Sequence, residues 1–265
     1  MNATFDVSVV IPLYLSEDTV EELVRSVGDV LATRHRRAEL ILVDDGCPQR
    51  SFEGAVGAST PAGVAVRIVR HSSNLGQAAA IQTGIVHARG AAVAVMDADL
   101  QESPDDLLTL LSVLSGLPLP AAVRAGRKGT YQGIGRTLTA QAFRRVRKLI
   151  TFGAIPADAG VFCAMSRDAA QLVVDQHDPA AHLISLLHRA GVPIEAVPIE
   201  RQVRSTGATS YTSSMRARVA LGALTELTPA ASVLRIAHQH RVATVDITES
   251  SQTKRSRTKN RIGAR

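Results

Sequence analysis

Two aspartates one residue apart, Asp97 and Asp99, follow the apolar run Ala91–Met96. A buried strand ending there would place both carboxylates at the carboxyl edge of a sheet, where open α/β sheets bind ligands. Carboxylate oxygens suit a divalent cation that keeps its other positions for water and phosphate. Gln101 offers a third oxygen, because alternate residues of an extended segment share a face. The spacing therefore predicts a metal site that bridges a diphosphate.

The same stretch also has a purely structural interpretation. Ser103 followed by Pro104 is typical of a helix start, where serine caps the backbone and proline occupies the first turn. Residues 97–101 would then be a polar turn between a strand and that helix. The spacing alone leaves both interpretations open.

Asp44 and Asp45 repeat this arrangement after a second predicted strand, Glu39–Val43. Asp-Asp-Gly is common in tight turns. Carboxylates at a strand end also accept hydrogen bonds from a ribose or from a base N–H. Because two strand ends of one sheet would converge on one crevice, the second pair of aspartates favours a nucleotide site.

Asn74, Leu75 and Gly76 precede a run of small residues with helical character, Gln77–Ala80. Small residues allow a ligand to approach the backbone closely, and a helix N-terminus favours phosphate. Tight packing of the helix on a sheet would explain the same residues equally well. The loop lacks the Gly-Lys-Ser/Thr ending of a P-loop.

The hydrophobic pattern predicts alternating strands and helices that would position these side chains. Strands are expected at residues 7–12, 39–43, 64–69 and 91–96, and helices at 17–32 and 76–88, the second ended by Gly90. This order favours an α/β fold with a mostly parallel sheet flanked by helices. Later strands are expected at 121–125, 161–165 and 194–199, helices at 168–175, 182–190 and 215–227, and a mobile loop at 201–212.

The composition is that of a protein with a sizeable core and an excess of positive charge. Of the 265 residues, 45% are hydrophobic and 20% charged, and the formal net charge is +6. Residues 124–148 hold eight basic and no acidic side chains, and residues 254–265 hold six basic and none acidic. Because a polar basic stretch without aromatic residues cannot bury a core, we predict a disordered tail from residue 246.

Two cysteines, Cys47 and Cys163, are too few for a disulfide framework, and we expect reduced thiols. Residues 2–6 lack the basic residues of a signal peptide, and no run of about 18 uncharged apolar residues occurs. These features argue against a secreted or membrane-spanning protein. We expect a cytoplasmic protein, at most peripheral to the inner face of the membrane.

Taken together, several segments resemble glycosyltransferase family 2, and most closely its dolichyl- or polyprenyl-phosphate sugar synthases. The matching segments are Val7–Tyr14, Val43–Gly46, Asn74–Gly76, the spacing Gly84-x-x-x-Ala88-x-Gly90, Asp97–Gln101, Gly126–Arg127, Gly160–Arg167 and Arg204–Tyr211. The resemblance extends from residue 7 to about residue 235. It implies a glycosyltransferase A-type fold, which is a Rossmann-like, mostly parallel sheet flanked by helices.

The resemblance also implies a role for each matching residue. The residues that would hold the nucleotide part of a GDP- or UDP-sugar are Pro12, Tyr14, Asp44, Asp45, Asn74 and Asp97. Those that would coordinate Mg²⁺ or Mn²⁺ are Asp97, Asp99 and Gln101. The catalytic residues would be Asp99, Arg127 and Arg204, with the arginines contacting phosphates and Arg204 carried by a closing loop.

By the same resemblance, residues 1–120 would form a nucleotide-sugar-binding half and residues 121–245 an acceptor-binding half with C-terminal helices, followed by the tail 246–265. The implied reaction is an inverting transfer of the sugar to a polyprenyl phosphate, with no nucleic-acid partner. A phosphate acceptor is already ionised and needs cations rather than a base. The basic stretch 124–148 would supply them, with Arg127 as the residue in contact.

Two other functions remain open from the sequence. A family 2 enzyme acting on the hydroxyl of a small-molecule acceptor would need a carboxylate base, for which Glu102 or Asp158 are candidates. Val161 stands where the branch has an acidic residue, which leaves a sugar or acceptor contact unassigned. A nucleotide-sugar-binding module without catalysis is the third alternative, and the full set of aspartates and arginines argues against it.

Overall fold

The structure, a computed structural model, describes residues 4–34, 37–49, 51–59, 61–127, 160–200 and 245–250. Its strands are β1 Phe5–Leu13, β2 Ala38–Asp44, β3 Val64–His71, β4 Gly90–Val95, β5 Ala122–Arg127, β6 Cys163–Ser166, β7 Ile194–Ile199 and β8 Val245–Ser250. Its helices are α1 Val20–Arg34, α2 Ser51–Gly57, α3 Gln77–His87, α4 Pro104–Ser115, α5 Arg167–Val174 and α6 Leu183–Arg189. Within these residues, none of the helices combines the length and apolar character needed to cross a membrane.

The strands form one sheet in the order β7-β5-β6-β4-β1-β2-β3-β8. The central strands β4, β1, β2 and β3 are parallel to one another, and β5 is parallel to β7. β6 is antiparallel to β4 and β5, and β8 is antiparallel to β3. The predicted α/β fold with a mostly parallel sheet is therefore confirmed.

The order of the central strands reverses at β1. From β1 the chain proceeds to β2 and β3 on one side and then returns to place β4 on the other side. Ligands of open α/β sheets bind beyond the carboxyl ends of the strands at such a switch point. The fold therefore predicts a ligand site among the residues that follow β1, β2 and β4.

Helices cover both faces of the sheet, and each face has its own apolar core. One core joins α1, α2 and α4 to the sheet through residues such as Leu23, Ala55 and Leu110. The other joins α3, α5 and α6 through residues such as Ile81 and Leu186. Because both faces are covered, the central strands are nearly continuous runs of buried apolar residues, as parallel strands usually are.

Two glycines are required by close packing of the sheet. A Cβ on Gly84 of α3 would lie 2.2 Å from Val10 Cγ1, so α3 packs directly on β1. Gly90 was expected to end α3, but that helix ends at His87 and Gly90 begins β4. A Cβ on Gly90 would lie 2.5 Å from the backbone nitrogen of Ser8. The prediction for Gly90 is wrong because the glycine serves the approach of β4 to β1.

A buried polar cluster lies at the opposite, amino edge of the sheet. Glu39 is fully buried, and its carboxylate accepts hydrogen bonds from Ser8 Oγ at 2.6 Å and from the backbone nitrogen of Arg89 at 2.7 Å. The Arg89 guanidinium pairs with the other oxygen at 3.2 Å and lies over the ring of Phe5. These contacts satisfy the buried carboxylate and hold the start of β4 against β1 and β2.

Other differences from the sequence prediction concern elements without a clear pattern. α2 was not predicted, because its seven residues are too few to show a helical period.

Residues 245–250 form β8 along the outer edge of β3, where the sequence predicts a disordered tail from residue 246. For residues 246–250 that prediction is wrong, since the alternating β-branched residues Val245 and Ile247 suit a strand at the edge of a sheet. Residues 251–265 lie outside the described residues, and their disorder stays a prediction. Strands from both predicted halves of the chain lie in the one sheet, and the boundary at residue 120 stays a prediction.

Candidate active site

Three strand ends meet at the switch point of the sheet. The register pairs Leu13 at the end of β1 with Asp44 at the end of β2. On the other side of β1, the backbone nitrogen of Met96 donates to Val10 O at 3.1 Å, which continues the pairing with β4. Asp97 is the next residue. The two predicted aspartate sites therefore lie at the same edge of the sheet, on the two sides of β1, as expected.

Asp44 is a fully buried acceptor at this edge. Its Oδ1 accepts a hydrogen bond from the backbone nitrogen of Cys47 at 3.0 Å, and Arg70 Nε lies 3.0 Å from Oδ2. Arg70 is not aligned for a hydrogen bond, so among the described residues Oδ2 has an ion-pair partner but no hydrogen-bond donor. Burial raises the pKa of Asp44, although the Cys47 hydrogen bond and Arg70 oppose this. A donor group of a nucleoside would satisfy this oxygen.

Asp45 is also buried, but its carboxylate is occupied by the protein. Oδ1 lies 2.8 Å from His71 Nδ1 and accepts from the backbone nitrogen of Leu75 at 2.9 Å. Oδ2 accepts from the backbone nitrogen of Gly76 at 2.8 Å. His71 Nε2 in turn lies 2.9 Å from Thr83 Oγ1 on α3. Asp45 thus joins the end of β2 to the end of β3 and to the start of α3.

The loops after β1 and β2 are joined through a buried thiol. Cys47 Sγ accepts from the backbone nitrogens of Leu15 at 3.2 Å and Gln49 at 3.4 Å, and lies 3.3 Å from Ser51 Oγ. Leu15 has a φ of 56°, a conformation that costs a residue with a Cβ free energy. The contact with Cys47 helps to hold Leu15 there. Neither cysteine forms a disulfide, as predicted.

The loop after β2 also lies directly against the loop after β3. Gly46 has a φ of 60°, and a Cβ there would lie 2.4 Å from the backbone carbon of Ser73. Only glycine fits this position, because both the conformation and the space exclude a side chain. The close approach places Asn74, which is exposed, beside the end of β2.

Asp97 and Asp99 are both partly exposed just beyond β4. Asp97 Oδ1 accepts from Gln77 Nε2 at 2.7 Å, and the backbone nitrogen of Asp97 donates to the buried Glu102 at 3.2 Å. Between the two aspartates, Ala98 O accepts from Thr19 Oγ1 at 2.7 Å, which ties this loop to the start of α1. The turn is therefore held from both sides.

Gln101 would share a face with the aspartates only in an extended segment, and residues 97–101 are not extended. Leu100 has a φ of 56°, and the backbone nitrogen of Gln101 donates back to Asp99 Oδ1 at 3.2 Å. The chain folds into a turn because α4 begins three residues later, capped by Ser103 as predicted. Strand alternation therefore does not apply here, and Gln101 as a metal ligand stays a prediction.

The carboxylates fit the predicted cation. Asp97 and Asp99 supply hard oxygen donors in a partly exposed turn, which suits Mg²⁺ or Mn²⁺. Across the described part of the chain, no group of three or more His, Cys, Asp or Glu side chains is arranged to hold a metal ion. The protein would therefore provide two carboxylates, and water and a diphosphate would complete the coordination.

The other predicted site residues divide between the described and the undescribed parts of the chain. Pro12 is buried in β1 opposite Val43, and Tyr14 is half-buried one residue beyond that strand. The backbone of Arg127 ends β5, opposite Ile199 of β7, and its side chain lies outside the described part. Arg204 lies outside the described residues altogether.

Val161 is buried in the core beside α5 and α6, which explains an apolar residue at that position.

Sequence reasoning missed His71, Cys47 and Gln77 as parts of the site. His71 ends β3 as Asp44 ends β2, and a polar residue at a third parallel strand end was a usable signal. Cys47 and Gln77 act through hydrogen bonds to distant segments, for which the sequence offers no local pattern. His182 caps the start of α6 and His188 is exposed on the same helix.

The chain is similar in sequence to proteins of a known family. The profile of a family described as "Glycosyl transferase family 2" matches residues 8–173, more than half of the chain. The dodecaprenyl-phosphate galacturonate synthase of Rhizobium johnstonii is 39% identical over 131 residues, which are 49% of this chain and 38% of that protein. An undecaprenyl-phosphate 4-deoxy-4-formamido-L-arabinose transferase of Klebsiella pneumoniae is 27% identical over 206 residues, 77% of this chain and 62% of that protein. The chain spans less than two thirds of the length of either relative.

Among solved structures, glucosyl-3-phosphoglycerate synthase from Mycobacterium tuberculosis in complex with Mn²⁺, uridine-diphosphate-glucose and phosphoglyceric acid has a TM-score of 0.60 to this chain. The sequence identity is 19%, and the match covers 84% of this chain and 80% of that one. A second structure of the same enzyme contains Mg²⁺ and uridine-diphosphate. The likeness confirms the predicted glycosyltransferase A-type fold.

Proposed function

The chain belongs to glycosyl transferase family 2, and we propose that it is an inverting, metal-dependent transferase acting from a nucleoside-diphosphate sugar to a polyprenyl phosphate. The observation that supports the donor half of this proposal is the position of Asp44 and the Asp97–Asp99 pair at the same edge of the sheet, on the two sides of β1. A nucleoside bound at Asp44 would direct its diphosphate toward Asp97 and Asp99. The donor would be a GDP-sugar or a UDP-sugar.

The chemistry assigned to these residues follows from the charge of the leaving group. Transfer forms a bond between an acceptor oxygen and the anomeric carbon and breaks the bond from that carbon to the diphosphate. Negative charge develops on the diphosphate, and its stabilisation is usually the largest catalytic contribution. Mg²⁺ or Mn²⁺ bound at Asp97 and Asp99 would supply that stabilisation as a Lewis acid. Asp44 holds the nucleoside, and attack from the opposite side of the sugar inverts the anomeric carbon.

The contacts of Asp45 favour a positioning role over a ligand role. Its three hydrogen-bonding partners are His71 and the backbone nitrogens of Leu75 and Gly76. These contacts hold Asn74 and the first turn of α3 beside the end of β2, where the nucleoside would bind. The predicted direct contact between Asp45 and the nucleoside stays a prediction.

Two observations support polyprenyl phosphate as the acceptor class. The named relatives are a dodecaprenyl-phosphate synthase and an undecaprenyl-phosphate transferase. The stretch 124–148 carries eight basic side chains and no acidic one. A phosphate monoester is ionised at neutral pH and attacks without a base, so cations rather than a carboxylate are needed beside it. Arg127 and Arg204 are the residues we assign to phosphate contacts.

A lipid acceptor also bears on where the protein works. We place it in the cytoplasm, at the inner face of the membrane, because nucleotide sugars and the head group of the lipid would meet there. The basic stretch would bind anionic lipid through its charge.

The proposal is tested with purified protein, labelled UDP- and GDP-sugars and vesicles that contain undecaprenyl phosphate. We expect label in the lipid fraction with Mg²⁺ or Mn²⁺ and none with a chelator. Asp99→Asn should lower Mn²⁺ affinity and turnover at least tenfold, which is about 1.4 kcal/mol. Label transferred instead to the hydroxyl of a small molecule would establish the alternative acceptor class. Cation-independent transfer would remove the metal assignment.

A further inference from the structure

Gln77 makes a direct contact with one of the predicted cation ligands. It is the first residue of α3, its side chain is exposed, and its Nε2 donates to Asp97 Oδ1 at 2.7 Å. The two residues lie 20 positions apart, at the start of a helix and just beyond the following strand. The sequence assigns no role to Gln77.

The backbone beneath Gln77 is held firmly. The two preceding backbone nitrogens, of Leu75 and Gly76, donate to the buried carboxylate of Asp45 at 2.9 Å and 2.8 Å. Asp45 is itself held by His71, whose other ring nitrogen lies 2.9 Å from Thr83 on the same helix. Gln77 therefore extends from a fixed helix start rather than from a free loop.

We propose that Gln77 is a positioning residue that orients the Asp97 carboxylate for a divalent cation. The proposal rests on the proposed function, since it takes Asp97 as a cation ligand. Ordered hydrogen bonds to metal ligands fix their orientation before the metal arrives, and their loss typically lowers metal affinity by about 10- to 100-fold. Gln77 supplies such a bond to Asp97.

The neutral amide suits this role better than a charged side chain. A carboxylate has about four acceptor positions, and one amide N–H occupies a single one of them. The amide also leaves the negative charge of Asp97 in place. A lysine at position 77 would still reach a carboxylate but would neutralise it and repel the cation. The chemistry of the side chain, and not only its length, therefore matters.

The test measures binding of Mn²⁺ alone to the full-length protein, by electron paramagnetic resonance of the free ion. Gln77→Ala should weaken Mn²⁺ binding about tenfold, and Gln77→Lys should weaken it further. The matched control is Gln171→Ala, because Gln171 on α5 makes an equivalent exposed bond to Asp175 Oδ1 at 2.8 Å. That control should bind Mn²⁺ like the unaltered protein. Melting temperatures should change little in all three variants, since both glutamines are exposed.

The two ways of failing are distinguishable. If Asp99→Asn abolishes Mn²⁺ binding while Gln77→Ala and Gln77→Lys leave it unchanged, the positioning role is overturned and the proposed function stands. If Asp99→Asn also leaves Mn²⁺ binding unchanged, the cation site itself is wrong and both proposals fall. Equal weakening by Gln77→Ala and Gln171→Ala would likewise overturn a specific role for Gln77.

Discussion

His71 Nδ1 lies 2.8 Å from Asp45 Oδ1, and both side chains are almost fully buried. The contact joins the ends of two neighbouring parallel strands, and Thr83 on α3 completes it from the other side of the imidazole. Asp45, which the sequence predicts to bind the nucleotide, therefore holds the loop that precedes α3. This relationship is the basis of the first prediction.

His71→Ala should destabilise the protein by about 2–4 kcal/mol. The variant leaves Asp45 and Thr83 without their buried partner and opens a cavity, and both effects cost free energy. Urea unfolding followed by circular dichroism measures the change. His188→Ala is the control, because His188 is exposed on α6 and should cost under about 0.5 kcal/mol. A loss below about 1 kcal/mol for His71→Ala would show that the contact does not hold the loop.

Asp44→Asn should weaken nucleotide binding without weakening the fold at neutral pH. Burial raises the pKa of Asp44 above its ordinary value of 3.8. When folding raises the pKa of a carboxyl, the protonated group favours the folded state. That stabilisation is complete below the ordinary pKa of 3.8 and is lost as pH rises through the raised pKa of the folded protein. The unaltered protein therefore loses this stability as pH rises toward neutrality, and the uncharged asparagine does not.

Two measurements check the Asp44 prediction. Urea unfolding of both proteins at several pH values from 4 to 7 should show the variant gaining stability relative to the unaltered protein as pH rises. Titration with UDP and GDP in Mg²⁺ should show at least a tenfold loss of affinity for whichever nucleotide binds, about 1.4 kcal/mol. Marked destabilisation at pH 7 would mean that the ion pair with Arg70 outweighs burial.

Cys47→Ala should loosen the loops after β1 and β2. The variant removes the acceptor for the backbone nitrogens of Leu15 and Gln49, and we expect a loss of about 1–3 kcal/mol. Nucleotide affinity should fall with it, because Tyr14 and Asp44 flank these loops. Cys47→Ser keeps an acceptor at this position and should recover most of both losses. Thermal melting and nucleotide titration provide the two readouts. Equal melting temperatures and equal nucleotide affinities for Cys47→Ala and Cys47→Ser would show that the sulfur contributes packing and not hydrogen bonds.

The rate of transfer to a polyprenyl phosphate should be nearly constant from about pH 7 to pH 9. The second pKa of a phosphate monoester is near 6, so the acceptor is already ionised over this range. The candidate base Glu102 is buried and accepts from the backbone nitrogen of Asp97, which suits a structural role. Asp158, the other candidate, lies outside the described residues. A hydroxyl acceptor would be favoured by two results together: a transfer rate that increases with pH through a single pKa between 7 and 9, and loss of transfer in Asp158→Asn.

The α/β fold and the strand-end aspartates could be predicted because they depend on local signals. Runs of β-branched residues, helical spacing and the serine–proline start of α4 are each contained within a few residues of the chain. The error at Gly90 has the same origin, since a glycine after a helix resembles a helix stop. Its actual neighbour, Ser8, is 82 positions away.

The amino-acid sequence by itself determined the family, the sheet and which strand ends carry carboxylates, because hydrophobic periodicity and residue type are local properties of the chain. Only the tertiary structure decided what each carboxylate contacts. Asp44 keeps an oxygen without a hydrogen-bond donor among the described residues, while Asp45 is occupied by His71, Leu75 and Gly76, 26 to 31 positions away. Hydrogen bonds between distant segments form only when the sheet brings strand ends together, so adjacent identical residues can acquire different roles.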